Sequence, residues 1–198
     1  KKDDAPHLIY LPERAFDEEQ FLKDVKELYD RLGGVVVVAS EGLKKADGTP
    51  IVEPIFKTER AVYYGDVSAH LANLVIKRLG IKARSEKPGL CGRASIAWQS
   101  PVDREEAILA GEKALLAAVE GHTGVMVGFK RKEGREYGIE TFLIPIEEVM
   151  MVEKTVPDTF INAEGNDVTE AFTEWCRPLI GPELRDFVDF QSGNEGDL

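Results

Sequence analysis

With 198 residues, 43% of them apolar and 31% charged, the chain has the composition of a globular protein of one good-sized domain, or a domain with an extension, which excludes a disordered polypeptide. Its formal net charge of −11 argues against non-specific binding to nucleic acid or anionic membrane, so an anionic ligand needs a local cluster of positive charge. No apolar run approaches the ~18 residues that span a bilayer, and Cys91 and Cys176 lack any zinc spacing, so two free thiols in a cytoplasmic protein are expected.

The start, Lys1-Lys2-Asp3-Asp4, has no signal-type apolar stretch, carries no initiating Met and runs quickly into an apolar segment. That is the look expected of a piece cut from a longer chain. His7–Leu11, bounded by prolines, predicts a buried strand. Asp17 is placed to cap a helix whose Phe21, Val25, Leu28 and Leu32 share one face, with Gly33-Gly34 ending it. Val35–Ser40, with four consecutive valines, predicts a strand buried on both faces as in a parallel sheet.

Lys44–Tyr64 reads as a loop, with Asp47-Gly48, Pro50 and Pro54. A helix follows from Ser68, with Leu71, Leu74, Val75 and Leu79 inward and Gly80 after its end. Ile81–Ser85 predicts a third strand, and Glu86–Pro101 a long connection. A helix from Asp103 to about Val119 carries Asp103 and Glu106 at capping-box spacing. Gly124–Lys130 and Tyr137–Ile146 predict strands, and a last helix covers Val168 to about Trp175. The order β-α-β-α-β-loop-α-β-β, then a helical end, predicts an α/β fold with a mainly parallel sheet flanked by helices.

In such sheets ligands bind beyond the carboxyl ends of the strands. Two ends carry polar groups: Ser40-Glu41-Gly42 after the valine strand, and Arg84 through Arg93 after the third. The second loop offers Arg84, Lys87 and Arg93 with Gly89 and Gly92. Guanidinium groups bind phosphate bidentately, and glycine lets backbone approach an anion. A carboxylate accepts hydroxyl hydrogen bonds. Together these groups suit a phosphorylated polyol. Alone, Glu41 would read as a cap or surface group and the arginines as partners of nearby acids; the conjunction at adjacent strand ends favours a site.

Three runs carry a resemblance: Pro6-His7-Leu8-Ile9-Tyr10-Leu11-Pro12-Glu13, Val35-Val36-Val37-Val38-Ala39-Ser40-Glu41-Gly42, and Pro88-Gly89-Leu90-Cys91-Gly92-Arg93. In order and spacing they closely resemble the phosphofructokinase family, above all its pyrophosphate-dependent branch. The resemblance spans roughly Pro6 to Phe160. It implies the second, C-terminal domain of a Rossmann-like two-domain enzyme, a 6-phosphofructokinase of glycolysis. Residues 1–122 would form the sugar-phosphate-binding domain, 123–190 the strands and helix that return to an N-terminal domain, and 191–198 a disordered tail.

By the same resemblance Glu41 would bind the sugar hydroxyls of fructose 6-phosphate, Arg84 the sugar phosphate of a neighbouring subunit in a homo-oligomer, and Arg93 the same ligand. Leu90-Cys91-Gly92-Arg93 stands where the family usually has His-Ile-Gln-Arg or Tyr-Glu-Gly-Arg, so Leu90 replaces a residue that hydrogen-bonds the ligand. The family's Gly-Gly-Asp donor loop, its base-bearing Asp motif and its Met-Gly-Arg motif all precede the point where this chain begins. The expected arrangement is therefore a substrate half, inactive alone, with Mg2+ held by the intact parent and no ligands for it here. The alternative is a non-catalytic sugar-phosphate-binding or regulatory subunit. His7, His70 and His122 have no metal-ligand spacing, and Trp98 reads as core or subunit packing.

Overall fold

The computed structural model describes residues 4–58, 62–96, 99–134 and 136–181. Asp17 opens helix α1 (Glu18–Leu32) by accepting the backbone N–H groups of Glu19 and Gln20 at 2.9 and 3.0 Å. That satisfies donors with no partner inside the helix. Phe21, Leu22 and Val25 form its buried face. Gly33, at φ 74°, closes it with its N–H on the Tyr29 carbonyl, a left-handed conformation that a side chain would strain. Helix α2 (Val67–Leu79) is built alike, with Asp66 as its cap, Leu71 and Val75 inward, and Gly80 at its end.

Strands β1 (Leu8–Tyr10) and β2 (Val37–Ala39) flank α1 in sequence and pair in parallel, Leu8 opposite Val37 and Tyr10 opposite Ala39. Their inner residues meet α1 and α2 in one core, where the rings of Tyr10, Phe16 and Phe21 lie 5.3 to 5.6 Å apart. Leu43 and Ile51 close it from the following loop. Strands β3 (Pro54–Lys57) and β4 (Val62–Tyr64) form an antiparallel pair. A short helix α3 (Gly89–Ala94) follows residues 81–88, which form neither helix nor strand.

The chain divides into two compact units, Lys1–Ile96 with Met151–Trp175, and Ala97–Met150 with Cys176–Leu198. The expected boundary at 122 falls inside the second, between helix α4 (Pro101–Val119) and strand β5 (Val125–Arg131). There β5 pairs antiparallel with β6 (Ile139–Pro145), which leads into α5 (Ile146–Val149). The Tyr137 hydroxyl donates to Glu106 of α4, and the Arg131 guanidinium lies 4.8 Å from the Tyr137 ring centroid. Burial, the Glu106 hydrogen bond and the Glu106 charge push the Tyr137 hydroxyl up to about 12.

In the first unit, a 3-10 turn (Asp158–Phe160) and helix α6 (Glu170–Cys176) bring Phe160, Phe172 and Trp175 into one aromatic cluster. The same segment is sewn to β1 and α1 through half-buried Asp24. That carboxylate accepts the Tyr10 hydroxyl at 3.2 Å, the Asn166 amide at 2.8 Å and the Gln20 amide at 2.6 Å. The Ile9 N–H donates to the Asn166 carbonyl at 2.8 Å. Burial and the Asp24 charge push the Tyr10 hydroxyl well above the ordinary phenol range. Asp24→Ala strips two partly buried donors of their acceptor and is expected to destabilise the first unit by about 2–3 kcal/mol. Urea unfolding checks this, and a loss under ~0.5 kcal/mol would contradict it.

Several expectations are corrected. Lys44–Tyr64 is no plain loop: strand-forming Ile55, Phe56, Val62, Tyr63 and Tyr64 make the β3–β4 pair, with Pro54 at a strand start where its missing N–H is tolerated. Ile81–Ser85 is not a strand. Ile81 and Ala83 lean on the core with Lys82 and Arg84 outward, but no ladder bonds join the segment to another strand among the described residues. The valine strand is buried on one face only, with Val36 and Val38 48% and 50% exposed on the uncovered side of the β1–β2 pair.

Helix α4 starts earlier than expected. Ser100 caps it, its hydroxyl oxygen accepting the Asp103 N–H, while Glu106 is drawn away to Tyr137. The last helix starts later, because Val168 pairs with Ile161 in an isolated bridge. Among the described residues β1–β2 is the parallel pair, and the other two strand pairs are antiparallel. Trp98 and residues 182–198, with the expected tail, lie outside the described residues.

Candidate functional site

Glu41 sits in a tight turn directly after β2, and that turn is anchored at both ends. Before it, the Ser40 N–H donates to the Tyr10 carbonyl at 3.1 Å. After it, Leu43 is buried and its carbonyl accepts the Ile51 N–H at 3.1 Å. Within the turn the Gly42 N–H donates to the Ser40 hydroxyl oxygen at 3.3 Å. A Cβ on Gly42 would lie 3.5 Å from the Pro12 ring, so the turn rests on the loop leaving β1. The Glu41 side chain itself is exposed and has no hydrogen-bond or ion-pair partner among the described residues. A fixed backbone that presents a free carboxylate is suited to accepting hydroxyl hydrogen bonds.

Arg84 follows Ala83, which packs against the same core as β2. It too is exposed and unpaired among the described residues. Lys87 ties the loop back to the cap of α2, its ammonium 3.6 Å from the Asp66 carboxylate. The Ser68 hydroxyl, the Ala69 N–H and the Lys87 charge hold Asp66 below the usual carboxylate range. Gly89, at φ 51°, then turns the chain into α3, where the Gly92 N–H donates to the Pro88 carbonyl at 3.3 Å.

A Cβ on Gly92 would come within 3.0 Å of Pro88 Cβ, so this turn favours a residue with no side chain. Leu90, Cys91, Gly92 and Arg93 are all exposed on α3, Leu90 at 79%. The structure thus gathers Leu90 through Arg93 on one short helix and places Glu41 and Arg84 at the exits of two segments on one core. No hydrogen bond or ion pair links Glu41 to either arginine among the described residues. Two free guanidinium groups and a free carboxylate could hold an anionic polyol from opposite ends.

Among the described residues, no three His, Cys, Asp or Glu side chains converge as a metal site would require, and none of the helices is long and apolar enough to cross a membrane. Both cysteines are free thiols, as expected, Cys91 exposed and Cys176 half-buried. His7 is a structural acceptor, its Nδ1 taking the Val36 N–H at 2.9 Å. Sequence reasoning used Pro12-Glu13 only as part of a recognisable run and missed what Glu13 does. One of its carboxylate oxygens accepts the Val156 N–H at 2.8 Å, and the other is buried with no hydrogen-bond partner among the described residues. No local spacing could have found a pairing of residues 143 apart in sequence.

No protein-family model matches the chain. It is 39% identical over 194 residues to the pyrophosphate–fructose 6-phosphate 1-phosphotransferase of Rhodospirillum rubrum, covering 93% of this chain and 48% of that protein. Among solved structures, the pyrophosphate-dependent phosphofructokinase of Nitrosospira multiformis superposes with a TM-score of 0.71 at 30% identity, over 94% of this chain and 43% of that one. The corresponding enzyme of Marinobacter aquaeolei gives 0.74 at 27% identity, over 96% and 44%. The chain spans about half the length of the curated relatives it matches.

Proposed function

Over 93% of its length the chain is phosphofructokinase-family sequence, and its α/β fold is that of the family; on that premise we propose that it forms the C-terminal, sugar-phosphate-binding half of a 6-phosphofructokinase. The reaction moves a phosphoryl group from pyrophosphate or ATP to the 1-hydroxyl of fructose 6-phosphate, releasing phosphate or ADP. The observation that carries the reading is that Glu41, Arg84 and Arg93 are exposed and unpaired among the described residues, Glu41 on an anchored turn, Arg84 next to Ala83 on the same core, and Arg93 on the exposed helix α3 that follows. Glu41 accepts sugar hydroxyls. Arg84 and Arg93 bind the phosphate dianion, and α3 supplies Leu90, Cys91 and Gly92 to the wall. Leu90 contributes contact where the related motifs place a hydrogen-bonding side chain.

Donor binding and proton removal belong to the other half of a cytoplasmic enzyme, which would also hold a Mg2+ ion to offset the donor's charge. The working unit is a homo-oligomer in which Arg84 reaches the neighbouring sugar phosphate. A coupled assay on the chain alone is expected to show no fructose 1,6-bisphosphate from either donor, with or without Mg2+. Metal-dependent turnover by the 198-residue chain would overturn its assignment as a half.

A further inference from the structure

The loop leaving β1 is tied on two sides. On one side, the Phe16 N–H donates to the Lys44 carbonyl at 2.8 Å, Ala15 bridges to Lys44, and Pro12 supports Gly42. These contacts hold the turn that carries Glu41. On the other side, Glu13 accepts the Val156 N–H, and Arg14 Nη1 pairs with Asp158 Oδ1 at 2.8 Å. The Arg14 stem also lies where a Cβ on Gly165 would meet it at 3.3 to 3.4 Å. Adjacent residues thus clamp one returning segment, and the loop they belong to is the bed of the Glu41 turn.

The buried second oxygen of Glu13 deepens the point. A carboxylate oxygen shielded from water without a donor is costly. Resting on the reading of Glu41 as a sugar ligand, we propose that Glu13 and Arg14 are positioning residues for the sugar-phosphate site: by clamping Val156–Gly165 to the β1 exit loop they fix the turn that presents Glu41. Neither touches the substrate. Misplacing a ligand by a fraction of an ångström weakens the binding of the group it faces and leaves the distant donor site alone.

The test is steady-state kinetics on the full-length protein that carries this sequence, comparing Glu13→Ala, Glu13→Gln, Asp158→Ala and Glu41→Gln. Glu13→Ala is expected to raise KM for fructose 6-phosphate roughly three- to tenfold, with KM for the phosphoryl donor within about twofold of wild type. Glu13→Gln keeps an oxygen for the Val156 N–H and should recover most of the loss. Asp158→Ala frees Arg14 at an exposed site and should raise the sugar constant about two- to threefold, which carries the test should Glu13→Ala fail to fold. If Glu41→Gln weakens sugar binding while folded Glu13→Ala and Asp158→Ala do not, the positioning role is wrong and the sugar site stands. If Glu41→Gln changes nothing, the site reading falls and this inference with it.

Discussion

Arg93→Ala in the full-length protein is expected to raise KM for fructose 6-phosphate ten- to a hundredfold, with Arg84→Ala close behind and the donor constant nearly unchanged. The physical reason is a division of labour along the ligand. A carboxylate would repel the phosphate and belongs at the hydroxyl end, while guanidinium groups match the dianion with paired N–H donors. Losing one charged hydrogen-bond partner costs about 1.5–3 kcal/mol, which sets the range. Glu41→Gln keeps the shape and one acceptor, so it should weaken sugar binding without loosening the anchored turn. If Arg84 serves a neighbouring subunit, mixing Arg84→Ala with Glu41→Gln protein should regenerate some intact sites. Kinetics in which all three changes leave the sugar constant untouched would put the site elsewhere.

The second large effect is on stability. Phe21 is 1% exposed and packs against both Tyr10 and Phe16, with ring centroids 5.6 and 5.5 Å away. Phe21→Ala removes this ring from the centre of the first unit and leaves a cavity that β1, α1 and α2 cannot all collapse to fill. A loss of about 3–5 kcal/mol is expected, a drop of roughly 10–25 °C in melting temperature. Phe21→Leu, which keeps most of the volume, should cost less than about 1.5 kcal/mol. Calorimetry on both variants checks the contrast, and equal melting temperatures for the two would mean that the core does not centre on this ring.

What could be read from the sequence was what is locally encoded. Asp17 with Phe21 and Val25, and Leu71 with Val75 and Gly80, specify α1 and α2 within a few residues, because caps and helical spacing need no distant partner. Ile81–Ser85 had the alternation of a strand, but a strand exists only through its neighbour, and none pairs with it among the described residues. The Asp103–Glu106 spacing suggested a cap that Ser100 supplies instead, since Tyr137 competes for Glu106. At the candidate site, Glu41, Arg84 and Arg93 were legible from residue type and from a family resemblance. Their support was not: the Glu13 and Arg14 clamp joins segments 143 and 144 residues apart.

That separation also sets an order of assembly. The first unit is interrupted in sequence by residues 97–150 and resumes only at 151. As the chain leaves the ribosome, β1, α1, β2 and α2 can collapse on one another early, since all their core residues lie before residue 80. Asp24 must then wait for Asn166, 142 residues later, and Glu13 for Val156. Until those residues emerge, the nascent unit holds an unstitched acceptor and a loop without its clamp, a stage at which chaperones or proteases meet it. Premature termination shortly before Asn166 would therefore yield a chain with its hydrophobic centre formed and its final fastening absent.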